Sequence, residues 1–198
     1  MEEEGALTPL QVKCRDDNHC MALCKDRRNE LENRQKILFE ILFKSIEPYS
    51  YLGFSIVFTG ERDLECYTAE GNKKSHPFNF PLPVFSVVYK IPGFKQDTPL
   101  EGVREGGMAL LEEVVRFRFT PEVNQNGAID YEFKEFIPGV PYTASGYLSW
   151  QGKTMLDERE YWHFNVSPSE GLRHRAFDNA CVEEWLSRMY VRNALTVK

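Results

Sequence analysis

The stretch V-V-R-F-R-F-T-P-E-V-N-Q-N-G-A-I-D-Y-E-F-K-E-F, residues 114 to 136, decides the fold. Both of its arms alternate apolar and charged residues with a period of two, the pattern of strands that bury one face and wet the other. Between them lies a loop containing Asn126-Gly127, which supplies turn chemistry. An antiparallel register with Phe117 opposite Tyr131 puts Val115, Phe117 and Phe119 on one face with Ile129, Tyr131 and Phe133. It also sets Arg116 against Glu132 and Arg118 against Asp130 on the other face. Apolar period and cross-strand charge agree, so a hairpin is expected here.

Downstream, Y-T-A-S-G-Y-L-S-W (142 to 150) and K-T-M-L-D-E-R-E-Y-W-H-F-N-V (153 to 166) flank Gln151-Gly152 and predict a second hairpin. Upstream, F-S-I-V-F-T (54 to 59), D-L-E-C-Y-T (63 to 68) and V-F-S-V-V-Y-K-I (84 to 91) carry strand chemistry. Prolines 77, 81 and 83 predict an irregular stretch or a sheet edge, and residues 97 to 107 a loop. Ser167-Pro168-Ser169-Glu170 resembles a capping box opening a final helix. That helix places Phe177, Cys181, Val182, Trp185, Leu186 and Met189 on one side, opposite Asp178, Glu183, Glu184 and Arg188.

Residues 18 to 46 lack Gly and Pro and predict a long helix ending before Pro48, preceded by a frayed terminus over residues 1 to 17. Its first half, 25 to 36, has Leu31 as its only apolar residue, whereas I-L-F-E-I-L-F (37 to 43) is apolar nearly all round. Residues 18 to 36 are therefore expected to project and the second half to dock. Arg28 and Gln35 spoil a coiled-coil seam through Met21, Cys24, Leu31, Leu38 and Leu42. The order of helix, six or seven strands and helix predicts an α+β fold: one domain over residues 18 to 198, with an antiparallel, curled sheet flanked by the two helices.

A net charge of −6 leaves no cationic field for nucleic acid. The acidic start and the lack of a long apolar run argue against a secretory signal or a membrane span, and predict a cytoplasmic or otherwise intracellular protein. Five unevenly spread cysteines fit reduced thiols. Cys14, His19, Cys20 and Cys24 lie within eleven residues, but the spacing is no common zinc finger and no distant ligand pair completes one, so neither metal nor other cofactor is expected. Basic residues on the two helices (Lys25, Arg27, Arg28, Arg34 and Lys36; Arg173, His174 and Arg175) are interleaved with acids and predict ion-paired faces.

The densest chemistry is L-D-E-R-E-Y-W-H-F, residues 156 to 164. Strand alternation puts Asp157, Arg159, Tyr161 and His163 on one face. A two-residue turn at Gln151-Gly152 sets Gly146 opposite Asp157, Ala144 opposite Arg159 and Tyr142 opposite Tyr161. The charged set would then point inward with Trp150, Leu148 and Met155, above a gap left by Gly146 and Ala144. His163 could act there as general base or acid, Asp157 could orient it, Tyr161 could assist, and Arg159 could hold an anionic group. Trp162, Phe164 and Val166, on the opposite face, also call for burial, and a one-residue shift would turn the charged set to water.

An aromatic content of 13% suits a lined concavity, with Trp150, Tyr142, Phe117 and Tyr131 contacting a ligand, as well as it suits a plain core. The leading expectation is a binding module that holds a small apolar or amphipathic ligand, or a protein, on a cupped sheet. The alternatives are a cupped-sheet enzyme performing isomerisation, cyclisation or dehydration with Asp157 and His163, and a subunit that docks on a partner or its own copy through residues 18 to 46. No phosphate-binding loop, G-x-S-x-G or H-E-x-x-H motif directs the choice.

Overall fold

A computed structural model describes residues 8–70, 73–90, 115–124, 128–136, 145–155, 157–166 and 175–196. Among these residues seven strands form one antiparallel sheet in sequence order: β1 (Phe54–Glu70), β2 (Lys73–Tyr89), β3 (Val115–Val123), β4 (Ile129–Phe136), β5 (Ser145–Gln151), β6 (Tyr161–Val166) and β7 (Arg175–Ala176). The sheet stays open, with β1 and the two-residue β7 at its edges. Helices α1 (Pro9–Ile46) and α2 (Asn179–Thr196) pack against it. The fold is α+β, as the order of elements implied. No helix among the described residues is long and apolar enough to cross a membrane.

Helix α1 starts nine residues earlier than its composition suggested. The Thr8 hydroxyl accepts from Gln11 N–H, and the Gln11 side chain accepts from Thr8 N–H, so Thr8-Pro9-Leu10-Gln11 is a complete capping box with proline in the first turn. The helix ends before Pro48 as expected and passes into a 3₁₀ turn, Glu47–Leu52. Leu38, Leu42 and Ile46 enter the main core with Cys181, Val182, Trp185, Leu186 and Met189 of α2. Both helices therefore cover the same aromatic face, which carries Phe85, Val87, Phe117, Phe119, Tyr131, Phe133, Leu148, Trp162 and Phe164. The half expected to project also docks: Leu31 packs with Leu64, Cys66, Phe78, Phe80, Leu82 and Ile129 in a second cluster. Arg28 lies over the Phe78 ring at 5.2 Å and donates to the Asn79 carbonyl, so a polar seam position serves the protein's own sheet.

That second cluster exists because β1 and β2 are seventeen residues each and outrun β3. β3 pairs with β2 over Phe85–Tyr89, so prolines 77, 81 and 83 sit where, among the described residues, β2 has no ladder to maintain on its far side. A bulge between Phe58 and Gly60 marks a change in burial along β2: every residue from Val84 to Tyr89 is buried, whereas beyond it Phe78, Phe80 and Leu82 are buried and alternate with exposed or half-buried neighbours.

The β3–β4 hairpin forms, but Phe117 faces Glu135, not Tyr131, and Phe119 faces Phe133. The slide from position 131 to 135 is even, so Phe117, Phe119, Ile129, Tyr131 and Phe133 all remain buried. The expected charge pairs are lost: Arg118 stands opposite Lys134, and Glu122 opposite Asp130. Compensation comes from other partners, with Lys134 bonded to Glu132, Arg62 near Glu122 at 3.9 Å, and the Asn124 amide on Asp130 at 2.9 Å. Asn124 also closes the turn, exchanging bonds with Ala128 through its backbone N–H and side-chain oxygen.

Helix α2 begins at Asn179, with the Asp178 carboxylate accepting from Cys181 N–H at 2.8 Å. Ser167-Pro168-Ser169-Glu170, the 97 to 107 loop, Arg173 and His174 lie outside the described residues. Burial pushes the Cys181 thiol up to about 11, opposed by nearby Arg175. Its neutral form therefore favours the fold, and that contribution is lost only as pH rises towards the raised value. At pH 8 a maleimide is expected to label exposed Cys14 in the native protein and to reach Cys181 only after unfolding; peptide mass mapping reads the difference.

Candidate functional site

The β5–β6 register decides where the sequence-predicted residues lie. Gly146 pairs with Val166, Leu148 with Phe164, Ser149 with His163, Trp150 with Trp162, and Gln151 with Tyr161. Residues of the same parity face each other, whereas a tight Gln151-Gly152 turn would have paired opposite parities. The inward set is consequently Leu148, Trp150, Trp162 and Phe164, and Tyr161 and His163 turn to the face away from the helices. Residues 153 to 155 and 157 to 160 are not strand; β6 starts at Tyr161. Burying Trp162 and Phe164 is worth about 1.5–3 kcal/mol each, while doubling a loop's length costs about 0.6 kcal/mol. Two large aromatics outweigh the tighter turn.

Asp157 and Arg159 thus leave the expected gap and meet each other in the connecting loop. The Arg159 guanidinium donates to both Asp157 oxygens at 2.9 Å, and its backbone N–H donates to Oδ1 at 3.0 Å. With Arg159 81% exposed, this is a solvated pair. The same hydrogen bonds hold the Asp157 carboxyl below its ordinary range. Thr154 closes the other side of the loop, donating from N–H to the Asp157 carbonyl and accepting Asp157 N–H. Arg159 also lies over the Tyr161 ring at 5.7 Å.

His163 lies in a cross-strand row with Ser149 and Asp130 on one side and Ala176 on the other. Asp157 is not in that row; its carboxylate is engaged by Arg159. Trp150 is half-buried against Trp162, with the Arg34 guanidinium 5.1 Å from its ring. Burial lowers the Arg34 pKa, and Glu30, ion-paired to both Arg27 and Arg34, acts in the opposite sense. Phe117 and Tyr131 are core residues, and Tyr142 lies outside the described residues.

The space between α1 and the sheet lined by Leu31, Arg34, Gln35, Leu82, Ile129, Tyr131 and Trp162 holds about 10 Å³, room for roughly one water and not for an organic ligand. There the aromatics pack on one another and on the helices: Phe85 stacks on Phe119 at 4.7 Å, and Trp162 meets Tyr131 edge-on at 5.9 Å. Burial raises the Tyr131 pKa and the nearby Gln35 side chain opposes the rise, yet neither the Tyr131 hydroxyl nor the Gln35 amide nitrogen has a hydrogen-bond partner within 3.5 Å among the described residues. Tyr131→Phe is therefore expected to leave stability unchanged or raise it by about 1 kcal/mol, measured by urea unfolding; a loss above that size would show that the hydroxyl is satisfied.

Exposed apolar side chains stand on the outside. On α1, Leu10 is 71% and Met21 62% exposed, and exposed Cys14 falls on the same helical stripe by its spacing. None of residues 9 to 18 belongs to either core cluster, and all but Val12 are exposed. Cys14, Cys20 and Cys24 follow the same helix, the first exposed and the others half-buried. No group of three or more metal-ligating side chains converges among the described residues. Between the helices, Ile37, Glu40, Ile41, Lys44, Asp178, Asn179 and Ala180 line an open groove of about 450 Å³. Composition had placed residues 9 to 17 in a frayed tail; the Thr8-to-Gln11 box was the signal that could have corrected it.

Compared with known protein families, curated proteins and solved structures, the chain matches none.

Proposed function

We propose that the protein is an interaction subunit that presents the start of α1 to a protein partner. One observation carries this: about 15 Å of capped helix, residues 9 to 18 at 1.5 Å per residue, extends beyond both core clusters with apolar side chains in water. A free helix of that length is marginal in water, and an aligned stripe of exposed Leu10, Cys14 and Met21 fits an apolar groove on another protein, the way amphipathic helices dock. The tight packing around Leu31, Tyr131 and Trp162 and the pairing of Asp157 with Arg159 support this function over ligand enclosure or acid–base catalysis.

The test compares full-length protein, a chain lacking residues 1 to 18, and Leu10→Glu/Met21→Glu as bait in extracts of the source cells, followed by titration of any arm-dependent protein in purified form. Both variants are expected to keep the wild-type circular dichroism and unfold within about 0.5 kcal/mol of it, while affinity for the purified partner falls at least tenfold. A partner bound equally by all three baits, or none dependent on the arm, overturns the proposal.

A further inference from the structure

Strand β1 is an edge of the sheet, and natural edges are usually blunted by charge, proline or a bulge. On β1 that protection is uneven. Glu61, Arg62, Asp63 and Glu65 guard the second half, but F-S-I-V-F-T, residues 54 to 59, has neither charge nor proline. The phase of the ladder follows from Lys90 N–H, which donates to the Gly53 carbonyl at 2.9 Å, in step with the pairing of Phe54 with Tyr89. Bonded and non-bonded pairs alternate in an antiparallel ladder. Ser55 and Val57 therefore turn their backbone groups to β2, and Phe54, Ile56 and Phe58 turn theirs outward. No strand among the described residues pairs with that side.

A second feature coincides with this edge. Phe58 is 51% and Phe43 of α1 48% exposed, both in ring contact with half-buried Phe39, at 5.4 and 6.2 Å between centroids. A strand edge unpaired among the described residues and an exposed aromatic patch thus lie side by side.

The geometry points to a homodimer in which β1 pairs antiparallel with β1 of a second copy, about a two-fold axis at Ile56. The outward set maps onto itself under that operation: Phe54 faces Phe58 of the other copy, and Ile56 faces its counterpart, so each pair can exchange two backbone hydrogen bonds. Phe54 belongs to the main core and Ile56 packs against it, so this set shares the helix-bearing face, where Phe43 and Phe58 of both copies would close the seam. The charges do not oppose it. The bulge at Phe58–Gly60, with Gly60 at φ 143°, ends the regular run before Glu61, so the acidic stretches of the two copies do not face each other. This inference does not depend on the helical arm.

Analytical ultracentrifugation at tens of micromolar tests it. Wild-type protein is expected to sediment at twice 23.0 kDa. Ile56→Pro removes an outward N–H that the β2 ladder does not use, and Phe58→Lys puts a charge in the seam at a half-exposed position. Each is expected to raise the dimer dissociation constant at least tenfold with wild-type circular dichroism, whereas deleting residues 1 to 18 leaves the dimer intact. A monomeric wild type, a dimer unaffected by Phe58→Lys, or a dimer lost only when residues 1 to 18 are removed overturns the inference.

Discussion

Trp162→Ala is expected to cost about 3–5 kcal/mol, enough to bring a domain of ordinary stability close to unfolding. The side chain is 2% exposed, meets Tyr131 and Trp150 edge-on, and donates its indole N–H to the Arg34 carbonyl at 2.8 Å. It therefore links β6, the centre of the sheet and the middle of α1. Truncation removes the apolar contacts, opens a cavity that two elements cannot collapse to fill, and takes away the indole donor that the Arg34 carbonyl accepts in addition to its own helix bond. A melting temperature lowered by roughly 10 °C or more follows for a chain of this size. Trp162→Phe keeps most of the buried area and loses the hydrogen bond, so about 1–2 kcal/mol is expected. Equal effects of the two variants would mean that the indole bond, not packing, holds β6.

Gly53→Ala comes next, at roughly 2–4 kcal/mol. Gly53 ends the 3₁₀ turn at φ 98°, where a Cβ is already strained, and an added Cβ would stand 1.9 Å from the Lys90 carbonyl oxygen. That atom is backbone at the end of β2, and it can move only if the Lys90-to-Gly53 hydrogen bond that opens the long hairpin is given up. Gly60→Ala is the control: its φ is 143°, but no atom lies within 4 Å of the new Cβ. Strain alone should cost it about 1 kcal/mol. A gap of about 1 kcal/mol or more between the two, read by denaturant unfolding, separates steric clash from backbone strain.

The class of fold was legible because burial alternates so clearly along β3 and β4 and along one side of α2. Register was not. Sliding β4 from a Tyr131 to a Glu135 contact keeps every aromatic inward, so hydrophobicity cannot sense it. Cross-strand ion pairs worth about 0.2–1 kcal/mol each are too weak to fix the choice, and Asn124 makes it by closing the turn locally. The β5–β6 pair shows the opposite case. There the shift is odd, and Trp162 and Phe164 already called for burial, so their size should have outweighed the Gln151-Gly152 turn. Docking of α1 around Leu31 was hidden because its partners, Leu64, Phe78 and Phe80, lie on a proline-bearing hairpin whose length no local pattern announces.

The central claim is that this register packs Leu148, Trp162 and Phe164 into the core and turns Tyr161 and His163 away from the helices. Nuclear Overhauser contacts across β5 and β6 test it most directly. The structure predicts backbone contacts between Ser149 and His163 and between Gln151 and Tyr161, with the Trp162 indole N–H protected from exchange. Contacts between Trp150 and Lys153, with an exposed Trp162, would contradict it.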